Sequence, residues 1–371
     1  MKNTKHFGFV GLGLIGGSIA RNLRKLYPDS TIIVYYYNQE KINPELLLAQ
    51  EEGTIDSIVT NFTEGFSQCD IIFLCAPVLK NISYLPELKK TIRSNCILTD
   101  VGSVKGNIHD AIKQANMETF FVGGHPMAGS EKTGYKNSTL SLLENAFYVL
   151  TPTSQTPDSH VTIMEKLVKD IGAIPIILPA KEHDNVTAAI SHVPHIIAAT
   201  LVNLVQDYDD AKEHMRALAA GGFKDITRIA SSSPVMWENI CLTNSESIIS
   251  FLHILSDYIQ QVITAIEHND SDYLLDYFGR SKSYRDSIPN KSVGIIEPIY
   301  EILVDVMDKK GTIATVATIL ASHDINIKNI GIIHNREFTQ GALHIEFYEE
   351  DTCKDAISIL ENYNYKIFTN T

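Results

Sequence analysis

Phe7-Gly8-Phe9-Val10-Gly11-Leu12-Gly13-Leu14-Ile15-Gly16-Gly17-Ser18 places an apolar strand directly before a Gly-x-Gly-x-x-Gly turn, and a helical pattern runs on from it through Leu26. In that setting Gly11 permits a tight turn, Gly13 lets backbone approach a pyrophosphate, and Gly16 lets the helix pack closely. The helix N-terminus then favours negative charge. The strand before and the helix after predict a dinucleotide-binding domain in which Gly11, Leu12, Gly13, Leu14, Ile15 and Gly16 cradle the cofactor. A second strand over residues 31–36 ends at Tyr37-Asn38-Gln39, where such domains carry a ribose-binding acid. Asn38 stands nearest. Its amide can bond a ribose hydroxyl but has no charge to repel a 2′-phosphate, so NAD is favoured and NADP stays open.

Strand-like runs recur at residues 71–75, 97–100, 120–122, 147–150 and 174–178, separated by helical or loop segments. Alternation of this kind predicts a largely parallel, doubly wound α/β sheet of the Rossmann type. Ligands of such sheets gather at the carboxyl ends of the strands. Ala76-Pro77, Asp100-Val101-Gly102-Ser103 and Gly124-His125 all emerge there, so Ala76, Pro77 and Ser103 join the expected cofactor contacts. Gly123-Gly124-His125-Pro126-Met127-Ala128-Gly129-Ser130-Glu131 sets one imidazole among glycines that are expected to turn tightly after a strand over residues 120–122. Imidazole suits proton transfer. A turn histidine bonded to backbone is the plainer alternative.

With 371 residues, 44% apolar and 20% charged, the chain can bury a full core and is expected to form two or three domains. A formal charge of -13 argues against a nucleic-acid partner, whose phosphates need a basic face. The five cysteines, at positions 69, 75, 96, 241 and 353, form no Cys-x-x-Cys pair and fit a reduced, cytoplasmic protein. The first residues lead into a strand rather than a signal-peptide core, and the apolar run 196–205 is interrupted by Asn203 and too short to span a bilayer. No membrane segment is expected.

Beyond Pro179 the pattern turns long and helical, over residues 180–205, 211–218, 234–242, 245–267 and 271–287, with a glycine break at Gly221-Gly222. The first helix carries His183, Asp184, His192 and His195, and Pro194 is expected to disturb its backbone bonds. His192 and His195 share a face. No fourth ligand at familiar spacing completes a metal site, so none is expected, and ligand-binding or core and capping histidines remain the open readings. Arg228, just after the glycine pair, is the natural fork for a carboxylate, with a salt bridge to Asp225 or Glu238 as the alternative. Ile248, Ile249, Phe251, Leu252, Ile254 and Leu255 crowd around their helix instead of keeping to one stripe, which predicts a homodimer through this part of the chain. Residues 287–292 read as a connector. After them, strand-like runs at 300–306, 325–333, 342–348 and 366–368 alternate with helical runs at 311–322 and 351–361. The expected domains are therefore 1–179, 180–290 and 296–371.

Residues 11–18, 100–105 and 123–131, Glu182-His183-Asp184 with Ser191-His192-Val193-Pro194-His195, and residues 221–237 together closely resemble prephenate dehydrogenase of the bacterial tyrosine pathway, in the family's order and over nearly the whole chain. The resemblance implies NAD-dependent oxidative decarboxylation of prephenate to 4-hydroxyphenylpyruvate. Arogenate is the alternative substrate, and a non-enzymatic NAD-binding sensor a more distant alternative. It further implies that His125 bonds the substrate's ring hydroxyl and takes its proton, and that Ser103 positions that histidine and the nicotinamide. His195 and Arg228 are implied in the substrate pocket, Arg228 reading a carboxylate. Trp237 resembles a tryptophan contributed by the paired subunit and Glu131 an acid at the pocket mouth, while Ser130 and Gly221 fall in the matched substrate-binding stretches. The last segment resembles the ACT-type regulatory domain, a ferredoxin-like α+β module whose members bind an amino acid. That resemblance implies L-tyrosine as effector, with Asp308, Gly311, Thr312 and Asn329 as contacts. Asp308-Lys309-Lys310-Gly311 matches the family's Asp-x-Pro-Gly except that Lys310 replaces proline. A dimerisation module without ligand is the alternative.

Overall fold

The computed structural model describes residues 5–38, 41–129, 132–288, 300–306, 310–333 and 342–368. The chain divides into two compact units, Met1–Asn290 and Lys291–Thr371. In the first, β1 (His6–Val10), β2 (Thr31–Tyr35), β3 (Ser57–Val59), β4 (Ile71–Leu74) and β5 (Ile97–Asp100) form a parallel sheet in the order β3-β2-β1-β4-β5. Helices α1 (Leu14–Leu26), α2 (Pro44–Glu51), α3 (Val78–Thr91) and α4 (Gly106–Gln114) alternate with these strands. Ile71-Ile72-Phe73-Leu74 is buried at every position, as expected of a strand covered on both faces. Phe9 stacks on Phe73 with ring centroids 4.9 Å apart in one core layer, and Ile72, Leu74, Leu98 and Phe121 fill the other. The three-residue β3 was not anticipated, since so short a run shows no periodicity.

The sheet of β6 (Val122–Pro126), β7 (Phe147–Pro152) and β8 (Ile174–Ile177), with α5 (Asp158–Asp170) between the last two, corrects the expectation of parallel strands: β6 and β7 run antiparallel, and β7 and β8 parallel. A parallel bridge between Leu98 and Phe121 sets β6 beside β5. The expected strand at 120–122 starts later, because a 3₁₀ turn occupies Glu118–Phe120, and Gly123, Gly124 and His125 lie inside β6 rather than in a turn. Close approach explains these glycines. A Cβ on Gly123 would sit 2.3 Å from Thr151 Oγ1, and one on Gly124 would sit 2.6 Å from the Asp100 carbonyl.

The helical part comprises α6 (Ala180–Thr187), a π turn at Ala188–His192, α7 (Val193–Tyr208), α8 (His214–Leu218), α9 (Gly221–Thr227), a 3₁₀ turn at Arg228–Ser231, α10 (Pro234–Thr243), α11 (Ser245–Glu267) and α12 (Ser271–Ser287). The helix expected over 180–205 runs on as Ala180–Tyr208, with its backbone bonds disturbed locally just before Pro194. Pro194 sits in the first turn of α7, where its missing N–H is tolerated, and the backbone widens into a π turn just before it. Gly221 and Gly222, expected as a break, open α9.

In the second unit, β9 (Tyr300–Asp305), α13 (Thr312–Ser322), β10 (Asn329–Ile333), β11 (Ala342–Phe347), α14 (Glu350–Asn362) and β12 (Lys366–Phe368) form an antiparallel sheet in the order β10-β11-β9-β12. Alternation buries Ile302, Val304, Leu343, Ile345 and Phe347 in one core with Val316, Leu320, Ala356 and Leu360 of the helices.

Candidate active site

The nucleotide cradle is built from backbone. Gly11 has φ +86°, open only to glycine without strain, and a Cβ there would lie 3.1 Å from the Ala76 amide nitrogen. A Cβ on Gly16 would meet that of Cys75 at 3.0 Å, whereas one on Gly13 would meet nothing within 4 Å. Gly16 therefore serves packing between α1 and the end of β4, while Gly13 leaves space above the turn. Gly13 also N-caps α1 without any side-chain hydrogen bond, and no acid stands in the helix's first turn. Uncapped amides and a positive helix end are what a diphosphate needs. A cleft of about 510 Å³ opens here, lined among others by Gly11, Leu12, Gly13, Tyr36, Ala76 and Pro77. These residues fit a dinucleotide. Asn38 follows β2, its side-chain oxygen accepting from the Lys41 amide at 3.2 Å.

His125 is held by two sets of buried contacts. The first begins with Asp100 at the end of β5 and Lys105, whose side chains are 1% and 0% exposed and form an ion pair. Asp100 also accepts from the amides of Gly102 (3.0 Å) and Gly124 (3.1 Å), and Lys105 Nζ donates to the Gly124 carbonyl at 2.7 Å. Burial lowers the Lys105 pKa, and the facing Asp100 charge opposes that shift. This clamp fixes the strand one residue before His125. The second set reaches across to α6, where His125 Nδ1 lies 2.7 Å from His183 Nε2, and His183 Nδ1 lies 2.8 Å from Asp184 Oδ1. Asp184 in turn accepts from the amides of Lys105 and Gly106, both at 2.7 Å, and so caps the start of α4. Burial above all, then His183, Lys105 and His192, holds the His125 pKa well below the usual histidine value. The ring is consequently a neutral base at neutral pH.

His195 on α7 is buried, with its imidazole stacked on the indole of Trp237 from α10 at 3.5 Å between ring centroids. The tryptophan expected from a paired subunit thus reaches His195 within its own chain, because α10 packs beside α7 around Val104, Ala188, Val193 and Ile240. Among the described residues the ring nitrogen of His125 is engaged by His183 rather than by Ser103, which stands half-buried in the loop after β5. Arg228 begins an exposed 3₁₀ turn that packs against α7, and Gly221 lies exposed at the start of α9. Ser130, Glu131 and Asp308 lie outside the described residues, whereas Gly311 N-caps α13 with φ +92°, Thr312 opens that helix, and Asn329 opens β10. Among the described residues, side chains grouped closely enough for a metal ion are Glu301, His344 and Glu346 of the second unit, not the histidines of α6 and α7.

His192 completes the buried cluster, its Nδ1 taking a hydrogen bond from Asn244 Nδ2 at 3.1 Å. Burial, with His183 and His195 adding to it, pushes its pKa down to about 4, against the opposing pull of Asp184. A histidine depressed in the folded state binds its proton more readily when unfolded, so its contribution to stability is complete above about pH 6.5 and is lost as pH falls towards about 4. The urea midpoint, followed by the fluorescence of the single tryptophan, is expected to drop across that window. In His192→Gln the slope should flatten, and an unchanged slope would remove His192 from the account.

A family model described as prephenate dehydrogenase, nucleotide-binding domain, matches residues 19–177, and one described as prephenate dehydrogenase, dimerization domain, matches residues 179–280. The prephenate dehydrogenase of Bacillus subtilis is 39% identical over 354 residues, covering 95% of this chain and 94% of that one. Among solved structures, prephenate dehydrogenase from A. aeolicus in complex with hydroxyphenyl propionate and NAD+ superposes with a TM-score of 0.71 at 31% identity, over 77% of this chain and 99% of that one. Synechocystis arogenate dehydrogenase superposes with a TM-score of 0.68 at 28% identity, over 76% of this chain and 100% of that one. A neutral, half-buried histidine at the carboxyl end of the strands, a glycine cradle for a dinucleotide and these matches along both parts of Met1–Asn290 lead to one conclusion: the chain belongs to the prephenate dehydrogenase family.

Proposed function

We propose that this chain catalyses the NAD-dependent oxidative decarboxylation of prephenate to 4-hydroxyphenylpyruvate in tyrosine biosynthesis, as a soluble cytoplasmic enzyme. The observation that carries the reading is His125, a half-buried base near the end of β6, which lies beside β5 of the sheet whose β1, β2 and β4 ends bound the nucleotide cleft. NAD supplies the hydride acceptor. The chain's own residues orient the ring carbon towards it, take the hydroxyl proton at His125 and anchor the two carboxylates, for which Arg228, His195 and Trp237 are the groups offered, with Ser103, Ser130, Glu131 and Gly221 completing the pocket. Loss of carbon dioxide makes the ring aromatic and the step irreversible. Initial rates on prephenate and on arogenate, each with NAD and with NADP, test the assignment. The highest kcat/KM is expected for prephenate with NAD, and a higher value for arogenate would move the substrate to the alternative.

The enzyme is a homodimer through residues 180–290. Ile248 is buried, and Phe251, Leu252 and Leu255 pack inward with it, while Ile249, Ile254, Ile259 and Ile266 on the same helix remain 45–59% exposed. Helices Ala180–Tyr208 and Ser245–Glu267 are long and apolar enough to cross a membrane. A second copy covering that apolar surface is the reading that agrees with the family match to a dimerization domain. Sedimentation at low micromolar concentration is expected to give a dimer, and a clean monomer would contradict this.

The second unit is an ACT-type regulatory domain through which tyrosine inhibits. Its strand and helix order supports the reading, and the amides at the start of α13, after Gly311, can hold a carboxylate, while Asn329 or Asp308 offers an oxygen that can accept from the ammonium group. Tyrosine should inhibit the full chain and leave a shortened chain ending at Pro289 uninhibited. Equal inhibition of both would place tyrosine in the active site instead.

A further inference from the structure

The hydrogen bonds that run from the start of α4 through Asp184 and His183 to β6 determine which nitrogen of His125 carries its proton. Asp184 Oδ1 accepts from the Lys105 amide at 2.7 Å and stands 2.8 Å from His183 Nδ1, while Oδ2 accepts from the Gly106 amide at 2.7 Å. A carboxylate oxygen only accepts, so His183 must carry hydrogen on Nδ1. His183 is 1% exposed, and in its neutral form Nε2 is then a bare acceptor. That acceptor lies 2.7 Å from His125 Nδ1, which must therefore be the protonated nitrogen. The Nε2 lone pair of His125 is left for the substrate. Burial and three neighbouring side chains disfavour a second proton on His125, so the base waits in one tautomer.

We propose that His183 and Asp184 are positioning residues that fix His125 as its Nδ1–H tautomer, so that the hydroxyl proton of the substrate has only Nε2 to go to. The proposal rests on the reading of His125 as the base. In the reaction the substrate O–H bond breaks and its proton joins Nε2, while the carbon bearing that oxygen gives up a hydride, for which bound NAD would be the acceptor, and becomes a carbonyl carbon; loss of carbon dioxide then makes the ring a phenolate, which takes the proton back. The resulting imidazolium keeps its Nδ1–H on His183, whose Nδ1–H stays on Asp184. Neither residue touches substrate. Their action is through His125, as the third member of an acyl-transfer triad acts through its histidine. The bond from His183 also ties α6 to β6, and the amides that hold Asp184 come from the same segment as Lys105, so both sets of contacts meet at one imidazole.

Asparagine at position 184 cannot satisfy three donors, since one of its two polar atoms is itself a donor. The Lys105 and Gly106 amides lie on different carboxylate oxygens, so the asparagine carbonyl can meet only one of them; with that carbonyl on the Gly106 amide, its NH2 stands in the place of Oδ1 and donates to His183 Nδ1, forcing hydrogen onto His183 Nε2 and then onto His125 Nε2. Glutamine at position 183, by contrast, can set a carbonyl oxygen where Nε2 was and still accept from His125 Nδ1. The experiment is ¹⁵N NMR of histidine-labelled full-length enzyme, with the His125 signals identified by their absence in His125→Asn, together with turnover on prephenate and NAD affinity. The expected wild-type spectrum has Nδ1 protonated and Nε2 bare. Asp184→Asn should reverse that pattern and lower turnover by about 100-fold, within the range a positioned base supplies, with NAD affinity nearly unchanged. His183→Gln should keep the wild-type pattern and lose no more than about tenfold. A wild-type ring protonated on Nε2, an Asp184→Asn enzyme with normal tautomer and turnover, or a His183→Gln enzyme as impaired as Asp184→Asn would each overturn the proposal. Because the spectrum needs no substrate, inactivity of every variant and of wild type on prephenate would refute the substrate reading while the tautomer assignment stood or fell separately.

Discussion

Replacing His125 with asparagine is expected to lower turnover on prephenate about 10²- to 10⁴-fold, the share that a positioned general base contributes. The substitution keeps a polar side chain of similar reach but removes the lone pair that takes the hydroxyl proton. His125 faces His183 on α6, whereas the glycine cradle is made by Gly11, Gly13 and Gly16 at the turn between β1 and α1. NAD binding, followed by fluorescence titration, should therefore be nearly unchanged. A variant with near-normal turnover would mean that another group accepts the proton.

Arginine 228 leads to a different kind of loss. A charge-assisted hydrogen bond to a carboxylate contributes roughly 1.5–3 kcal/mol, so Arg228→Ala should raise the KM for prephenate about 10- to 100-fold. A contact made equally in the ground and transition states raises KM more than it lowers kcat, so kcat should change less than KM. The exposed 3₁₀ turn that carries Arg228 packs against α7, the helix of His195. An unchanged KM would assign Arg228 to structure.

Local rules made much of this molecule legible. The glycine fingerprint could be read because a positive φ at Gly11 and the contact of Gly16 with Cys75 are demands that only glycine meets. The bounds of α11 and α12 follow from apolar periodicity bounded by serines and asparagine, and those of β5 and β12 from short apolar runs. What escaped depends on partners distant in sequence. Gly123 and Gly124 suggest a turn until Thr151 and Asp100 are brought against them. His183 stands 58 residues from His125, and nothing in its own neighbourhood announces that it fixes a second imidazole. Lysine 105 is the clearest case: a lysine reads as surface, yet this one is fully buried with Asp100, and the one hint in the sequence is its place between Val104 and Gly106 after an apolar strand. The resemblance implies Trp237 as a residue of a paired subunit, while its stacking on His195 of the same chain depends on the packing of α10 beside α7, which no local pattern announces.

Hydride transfer from prephenate to NAD at the site around His125 is tested most directly by the stoichiometry of the purified enzyme's reaction with prephenate and NAD, following NADH by absorbance and the organic product and carbon dioxide by quantitative analysis. One NADH, one carbon dioxide and one 4-hydroxyphenylpyruvate per prephenate consumed is the predicted result, whereas no NADH from prephenate under conditions where the folded enzyme binds NAD would contradict it.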